Sequence, residues 1–142
     1  MDILQRRHLG VFSPPFIDLI LDGRKTIESR FTKVRCAPYG IIKTGDVVLM
    51  KDVGGPVRGE FQVSRVEVFT NLTESIIKDL AREYGAALCS DADPEFWEHR
   101  NASKYATFMY VSNPIRYHKP QLYPKRDRRG WVVLYDEQYS LF

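Results

Sequence analysis

The feature of the sequence that most constrains the fold is a β-hairpin near the middle of the chain. Residues 46–53 form a run rich in Val, Leu and Met, and residues 57–69 alternate apolar and polar side chains. Gly54-Gly55-Pro56 between them is typical of a turn. Because a hairpin joins antiparallel neighbours, it argues against an open parallel α/β sheet. We therefore expect a sheet built around this hairpin.

The rest of the chain supplies further strands and a few short helices. Strand patterns are predicted at residues 5–12, 25–31, 105–111 (broken by Pro114) and 130–135. Helices are predicted at residues 14–22, 74–84 and 94–100, with Ser13, Thr73 and Asp93 as N-caps and Gly23 and Gly85 as stops. A chain of 142 residues with five or six strands indicates one domain spanning residues 1–142. We expect a small closed α+β sheet, mostly β, because closure removes exposed strand edges.

Composition excludes several classes of protein. Charged residues make up 27% and hydrophobic residues 44% of the chain, as in globular domains. Cys36 and Cys89 are too few for a disulfide framework, and with three scattered histidines they form no metal-binding pattern. The chain has no signal-peptide pattern and no apolar run long enough to span a membrane. We expect a cytoplasmic protein with reduced cysteines, no metal, no cofactor and no membrane contact.

The charge is unevenly distributed along the chain. The formal net charge is only +3, but residues 74–98 are strongly acidic and residues 116–129, here called the basic segment, are strongly basic. Cations neutralise phosphates and aromatic rings stack on unpaired bases. The basic segment contains both, and the cations predicted to bind nucleic acid are Lys125, Arg126, Arg128 and Arg129. The alternatives are a solubilising loop or a loop packed against the acidic region.

A cluster of charged side chains lies on the strand predicted at residues 25–31. Alternation along a strand places Glu28 and Arg30 on one face, and Lys25 lies at the preceding turn, from which its head can reach the same side. Arg offers a fork of donors, Glu accepts amino protons and Lys supplies a mobile cation, which together suit a planar polar ligand. The alternative is a solvated face with a weak surface ion pair. If the cleft is functional, Arg30→Ala should weaken ligand binding without unfolding the domain.

The string Gly23-x-Lys25-x-x-Glu28-x-Arg30 resembles the signature of the ASCH family. The resemblance extends over nearly the whole chain, although residues 85–129 match least. Its other parts are Ser13-Pro14-Pro15, Gly45-Asp46-Val47, Gly59-Glu60-Phe61 and Trp131-Val132-Val133-Leu134. The ASCH family is related to the PUA fold, a small RNA-binding β-barrel. The resemblance therefore implies a PUA-like closed β-barrel of five to six strands with flanking short helices.

The resemblance also implies a ligand cleft beside the motif, with RNA or a nucleotide-like small molecule as the partner. The candidate ligand-binding residues are Lys25, Glu28, Arg30, Ser13 and Tyr105. Some small family members are amidohydrolases of an acetylated cytidine nucleoside that use a Lys, a Thr three residues later and a distant Glu. This chain has Lys25, but Glu28 stands at the Thr position. Ribonuclease activity is proposed for other relatives, and Lys25 and Glu28 are the candidate catalytic residues for either reaction.

Three functions therefore stay open at the level of sequence. The first is an RNA- or nucleotide-binding domain, and the second is a small hydrolase of modified nucleosides or of RNA. The third is a protein-interaction module whose basic segment binds an acidic partner. The identity of the ligand, turnover and the oligomeric state are left open by the sequence.

Overall fold

The computed structural model describes residues 5–123 and 128–134, and it contains one mixed six-stranded sheet with two α-helices. The strands are β1 (Arg7–Phe12), β2 (Ile27–Thr32), β3 (Val47–Asp52), β4 (Val57–Phe69), β5 (Tyr105–Gln121) and β6 (Trp131–Leu134). The helices are α1 (Phe16–Leu21) and α2 (Glu74–Leu88), and 3₁₀ turns follow at Ser90–Ala92 and Glu98–Arg100. The spatial order of the strands is β2-β5-β4-β3-β1-β6. No helix in these ranges is long and apolar enough to cross a membrane.

The predicted hairpin forms the middle of the sheet. β3 pairs antiparallel with β4, with Val48 opposite Phe61, and β4 pairs on its other side with β5. Alternate residues of β4 are buried, including Phe61 and Val63, so the period-2 pattern correctly predicts its inner face. β1 joins the far side of β3 in parallel, which makes the sheet mixed.

The sheet curls into a half-barrel that is not fully closed. The predicted fold class is confirmed, but the prediction of full closure is wrong. β2 and β6 are the outer strands, and no ladder joins them within the described ranges. The gap between β2 and the β1–β6 pair is here called the seam. Arg30 reaches across the seam from β2, and its guanidinium donates to the carbonyls of Val11 at 2.9 Å and Gly130 at 3.3 Å.

Helix α2 is longer than predicted, because it continues through Gly85 to Leu88. Thr73 caps its start as predicted, with the hydroxyl accepting from the N–H of Ile76. A single glycine costs a helix only about 1 kcal/mol, and this cost is offset by Leu88, which is fully buried in the core. The left-handed residue that ends the helix is Cys89, with φ of 54°.

Two other helix predictions need correction. Ser13 is not a side-chain N-cap: α1 begins after Pro15, and only the backbone carbonyl of Ser13 accepts from the N–H of Phe16. The helix predicted at residues 94–100 is a series of turns that ends in the 3₁₀ turn Glu98–Arg100. Asp93 does accept a hydrogen bond from the backbone N–H of Glu95. The residues that follow bury Phe96 in the core without forming a regular helix.

Strand β5 does not end before Pro114 but continues to Gln121. β4 pairs Gln62 with Ser112 and then Glu60 with Ile115, so the pairing shifts register around the proline. Proline lacks an N–H, and a bulge is a position where no N–H is required of it. The first six residues of the basic segment, 116–121, therefore belong to a strand.

The core is formed between the concave sheet and the helices. Trp131 and Phe96 belong to this core and are 5% and 2% exposed. Trp97 is partly buried and packs edge-on against Phe31 of β2. These contacts bring the 3₁₀ turns to the open side of β2, where they face the charged residues of that strand.

Candidate functional site: a charged cavity at the seam

A cavity of about 400 Å³ opens where β2, the start of α1 and the 3₁₀ turns meet. Three segments line it: Val11, Phe12, Ser13 and Phe16; Lys25 with Glu28, Ser29, Arg30 and Phe31; and Asp93, Phe96, His99 and Arg100. The first two segments contain four of the five ligand-binding residues predicted from the sequence. The third segment lies in the part of the chain where the family resemblance is weakest.

Lys25 is held inside the protein by the turn that follows α1. Gly23 adopts φ of 81°, which turns the chain sharply, and the N–H of Lys25 donates to the carbonyl of Leu19. The Lys25 side chain is 1% exposed, and its Nζ lies 2.7 Å from the carbonyl of Leu88 and 3.6 Å from Oε1 of Glu28. The Lys25 head therefore lies beside Glu28, which its position at the turn allows. Its bond to Leu88 also satisfies a carbonyl at the end of α2.

Glu28 and Arg30 form an ion pair on one face of β2. The Nε of Arg30 donates to Oε2 of Glu28 at 2.9 Å, while the Glu28 side chain is only 7% exposed. The remaining hydrogen bonds described for Arg30 go to Val11 and Gly130 across the seam. Much of the hydrogen-bonding capacity of the Arg30 guanidinium is therefore used within the protein. Arg30→Ala should therefore destabilise the fold through the loss of three bonds, in addition to the predicted weakening of ligand binding.

Two aromatic rings enclose the Arg30 guanidinium. Its central carbon lies 4.8 Å from the centre of the Phe12 ring and 4.9 Å from that of Trp131. A Cβ on Gly10 would lie 2.9 Å from each of these rings, so the absence of a side chain there lets them approach. The cation–π contacts and the hydrogen bonds together fix Arg30 in the seam.

Buried His8 fixes the Trp131 indole from behind. The Trp131 N–H donates to Nδ1 of His8 at 3.0 Å, and Nε2 of His8 lies 2.8 Å from Oδ2 of Asp46. Because an indole N–H can only donate, Nδ1 must be unprotonated and the proton resides on Nε2. Burial lowers the pKa of His8, although its hydrogen bond to Asp46 opposes the shift. His8 is therefore neutral and links Trp131 to Asp46, a role that the sequence pattern does not predict.

Burial disfavours the charged forms of two basic side chains in the cavity. Burial lowers the pKa of Lys25, and the nearby Glu28 carboxylate opposes that shift. Burial also lowers the pKa of Arg100, again against the attraction of Glu28. An anion entering the cavity would be attracted by both groups. Perturbed ionisable groups in a cleft are typical of functional sites.

Arg100 and Ser29 are two of the polar cavity residues that the sequence-based prediction missed, together with Asp93 and His99. The Arg100 guanidinium stacks 3.7 Å from the centre of the Phe96 ring and donates to the Phe96 carbonyl at 2.8 Å. Phe96 and Arg100 are four residues apart, and side chains at that spacing contact each other on a helix. The helix predicted at residues 94–100 therefore already implied this contact. Ser29 lies between Glu28 and Arg30 in the motif.

The other predicted site residues are placed as follows. Ser13 lines the cavity, whereas Tyr105 packs against Tyr39, with ring centres 5.0 Å apart, outside the cavity lining. Arg128 and Arg129 are exposed and immediately precede Gly130 at the seam. Lys125 and Arg126 lie outside the described residues. Across the described ranges, no group of three His, Cys, Asp or Glu side chains is placed to hold a metal.

Comparisons with known proteins place the fold. No protein-family model matches the chain, and no curated protein sequence matches it. Among solved structures, the ASCH protein from Zymomonas mobilis is 15% identical and has a TM-score of 0.69, over 94% of this chain and 91% of that one. A serine-to-alanine variant of that protein is 12% identical with a TM-score of 0.73, over 96% and 94% of the two chains. The N-terminal domain of McrB from Staphylothermus marinus is 13% identical with a TM-score of 0.54, over 94% and 91%.

These structures identify the fold class of the chain. Six strands and two helices arranged as a half-barrel, matched over almost the full length, define a small α+β protein of the PUA-like type. More specifically, the fold is that of an ASCH domain, as the motif around Lys25 and Glu28 predicts. At these identities the likeness concerns the fold, and the role of the cavity has to be argued from its own residues.

Proposed function

We propose that the seam cavity binds a nucleotide-type ligand, either a small nucleotide-like molecule or an unpaired nucleotide of RNA. The observation that carries this proposal is the buried Lys25–Glu28 pair on the wall of a cavity of about 400 Å³. Such a volume suits one small molecule or one nucleotide rather than a folded partner. Within it, Glu28 can accept from a base amino group and Lys25 can donate to a base carbonyl.

The position of the basic segment supports an RNA ligand. Its last residues, Arg128 and Arg129, are exposed and lead directly into Gly130. The Gly130 carbonyl accepts from the N–H of Val11, and Val11 lines the cavity. A strand of RNA with one nucleotide in the cavity could therefore continue past these arginines, which would neutralise its phosphates.

Blocking the cavity mouth tests the proposal. Ser13 is exposed and lines the cavity, so Ser13→Trp fills the entrance without touching the buried ion pairs. Ser75→Trp, on the exposed outer side of α2, is the matched control. We expect Ser13→Trp to weaken binding of labelled single-stranded RNA and of nucleoside monophosphates by at least about tenfold, and Ser75→Trp to leave it unchanged. Equal binding by both variants would contradict a ligand in this cavity.

The contribution of the basic segment is measured by salt dependence. Arg128→Gln should reduce the slope of log affinity for RNA against log salt by about one phosphate contact. The affinity for a free nucleoside should not change, because the cavity is intact. If neutralising Arg128 and Arg129 removes binding to an acidic protein but not to RNA, the basic segment is a protein-interaction surface instead.

A hydrolase is the second candidate, and one observation favours it. Lys25 is buried 3.6 Å from the Glu28 carboxylate, and burial lowers its pKa, which favours a lysine that accepts a proton. Incubation with acylated nucleosides and with single-stranded RNA, followed by chromatography, detects turnover. Lys25→Met and Glu28→Gln should each abolish it if these side chains are catalytic. Tight binding with no product from any substrate would support a binding domain alone.

A further inference from the structure

The two longest stretches of the sequence without Asp or Glu are residues 29–45 and 99–126. The fold brings these stretches together, because β2 pairs antiparallel with the first part of β5. The last pair of this ladder is Thr32 with Tyr105. Basic side chains around this end of the ladder therefore have no carboxylate within either stretch to neutralise them.

Two lysines are neighbours at this end of the ladder. Lys33 directly follows Thr32, and Lys104 directly precedes Tyr105. The Lys104 N–H donates to the Thr32 carbonyl at 2.9 Å, so the two segments stay in contact there. Both lysines are exposed, and neither takes part in an ion pair with another described residue. Like charges at neighbouring positions of paired strands are destabilising, so this arrangement does not stabilise the fold.

Arg35 adds a third cation, and two tyrosines lie beside it. Arg35 is exposed, and its guanidinium lies 5.5 Å from the centre of the Tyr105 ring. Tyr105 packs against Tyr39, with ring centres 5.0 Å apart, and both tyrosines are partly exposed. The five residues that form this surface are here called the ladder-end patch: Lys33, Arg35, Tyr39, Lys104 and Tyr105.

The ladder-end patch lies close to the seam cavity along β2. Arg30 and Phe31 line the cavity, and Lys33 follows Arg30 by three residues, which is about 10 Å along an extended chain. A ligand longer than one nucleotide could therefore extend from the cavity to the patch. Tyr105, which was predicted to bind ligand in the cleft, belongs to this neighbouring surface.

We propose that the ladder-end patch binds a single-stranded RNA whose next nucleotide occupies the seam cavity. The inference adds a second contact surface to the proposed function and rests on it for the identity of the ligand. Three cations without acidic partners complement the phosphates, and tyrosine rings among them suit unpaired bases. A run of acidic side chains would also match the cations, but it would leave the tyrosine rings without a base to stack on.

Salt dependence of RNA binding tests the patch. Fluorescence anisotropy measures the affinity for a labelled single-stranded RNA of about twelve nucleotides, between about 50 and 200 mM salt. The variant combines Lys33→Gln, Arg35→Gln and Lys104→Gln. We expect its slope of log affinity against log salt to be smaller by about 2, because each phosphate contact on a single strand contributes about 0.7. The affinity for nucleoside monophosphates, measured by isothermal titration, should not change.

A matched variant removes the same charge from another surface. It combines Arg65→Gln on β4 with Lys78→Gln and Arg82→Gln on α2, and all three side chains are exposed. Its slope should fall by less than about 0.5, because these cations are not placed on the RNA path. The patch variant should unfold at the same temperature as the wild type or slightly above it, because it loses a repulsion between like charges. A structural role of the patch would instead lower the unfolding temperature.

The outcomes separate the patch from the cavity. An unchanged slope in the patch variant, an equal fall in the matched variant, or loss of monophosphate binding in the patch variant overturns the role of the patch. If the wild type binds monophosphates but no single-stranded RNA, the patch is overturned and the cavity remains a small-ligand site. If RNA binding depends on the patch but no monophosphate binds, the patch is supported and the nucleotide site in the cavity is contradicted.

Polyglutamate is the probe for the alternative partner. It carries negative charges on a flexible chain but no bases. We expect it to compete with the RNA only weakly, because the tyrosines add binding to unpaired bases that charge alone does not provide. If polyglutamate binds as tightly as the RNA and loses the same factor of affinity in the patch variant, the patch is a surface for an acidic protein instead.

Discussion

Replacing Arg30 with Met removes the only side chain shown to bridge the seam in the described part of the chain. Three hydrogen bonds are lost, to Glu28 at 2.9 Å, to the Val11 carbonyl at 2.9 Å and to the Gly130 carbonyl at 3.3 Å. Met retains the apolar bulk of the arginine stem, so the change isolates the guanidinium. Without it, Glu28 keeps Lys25 as its remaining ion-pair partner.

The magnitude follows from these contacts. Each bond contributes about 1 kcal/mol net, and stacking on Phe12 and Trp131 adds about 0.5–1 kcal/mol for each ring. The sum is about 4–5 kcal/mol, which lies within the usual cost of about 3–5 kcal/mol for removing one partner of a buried ion pair. At roughly 3 °C per kcal/mol for a domain of this size, the midpoint of thermal unfolding should fall by about 12–15 °C.

Urea and thermal unfolding followed by circular dichroism measure this loss directly. Arg35→Met is the matched control, because Arg35 is exposed and its guanidinium contacts only the Tyr105 ring, 5.5 Å away, among the contacts described. It should cost less than about 0.5 kcal/mol. A loss below about 1 kcal/mol for Arg30→Met would refute the claim that Arg30 bridges the seam.

Two further predictions concern the support of Arg30. Burial depresses the pKa of His8 below the ordinary value of about 6.5. The His8 imidazole therefore binds a proton more readily in the unfolded chain than in the folded protein. The free energy of unfolding should be highest above about pH 6.5 and should decrease as the pH falls below that value. His8→Gln should flatten this part of the urea-stability profile, while exposed His99→Gln should not; equal slopes would contradict the neutral His8. Gly10→Ala should cost about 1–3 kcal/mol by crowding the two rings, whereas Gly85→Ala within α2 should be neutral or stabilising, and an unaffected Gly10→Ala would disprove the close approach.

Local patterns in the sequence predict most of the sheet. The hairpin of β3 and β4 follows from a turn signal between two apolar runs, and the shared face of Glu28 and Arg30 follows from alternation along β2. Both depend on residues adjacent in sequence. Gly85 does not end α2, because burial of Leu88 outweighs the low helix propensity of one glycine. Pro114 does not end β5, because pairing with β4 continues on both sides of the proline.

The cavity is less predictable because it is assembled from distant segments. Arg100 lies far from Arg30 in sequence, and it reaches the site only because Phe96 and Trp97 pack onto the barrel. The seam itself is a property of sheet curvature and strand order, which no short motif contains. The buried His8–Trp131 bond joins two ends of the chain for the same reason.

A two-dimensional ¹H–¹⁵N NMR titration with the tightest-binding nucleoside monophosphate tests the central claim most directly. The account predicts that the largest shift changes occur in two segments, Ile27–Thr32 on β2 and the turn Glu98–Arg100, while the outer face of α2 stays unchanged. The two segments form facing walls of the cavity, so a ligand bound between them should perturb both. Changes confined to other surfaces, or saturation without changes in β2, would contradict a nucleotide site at the seam.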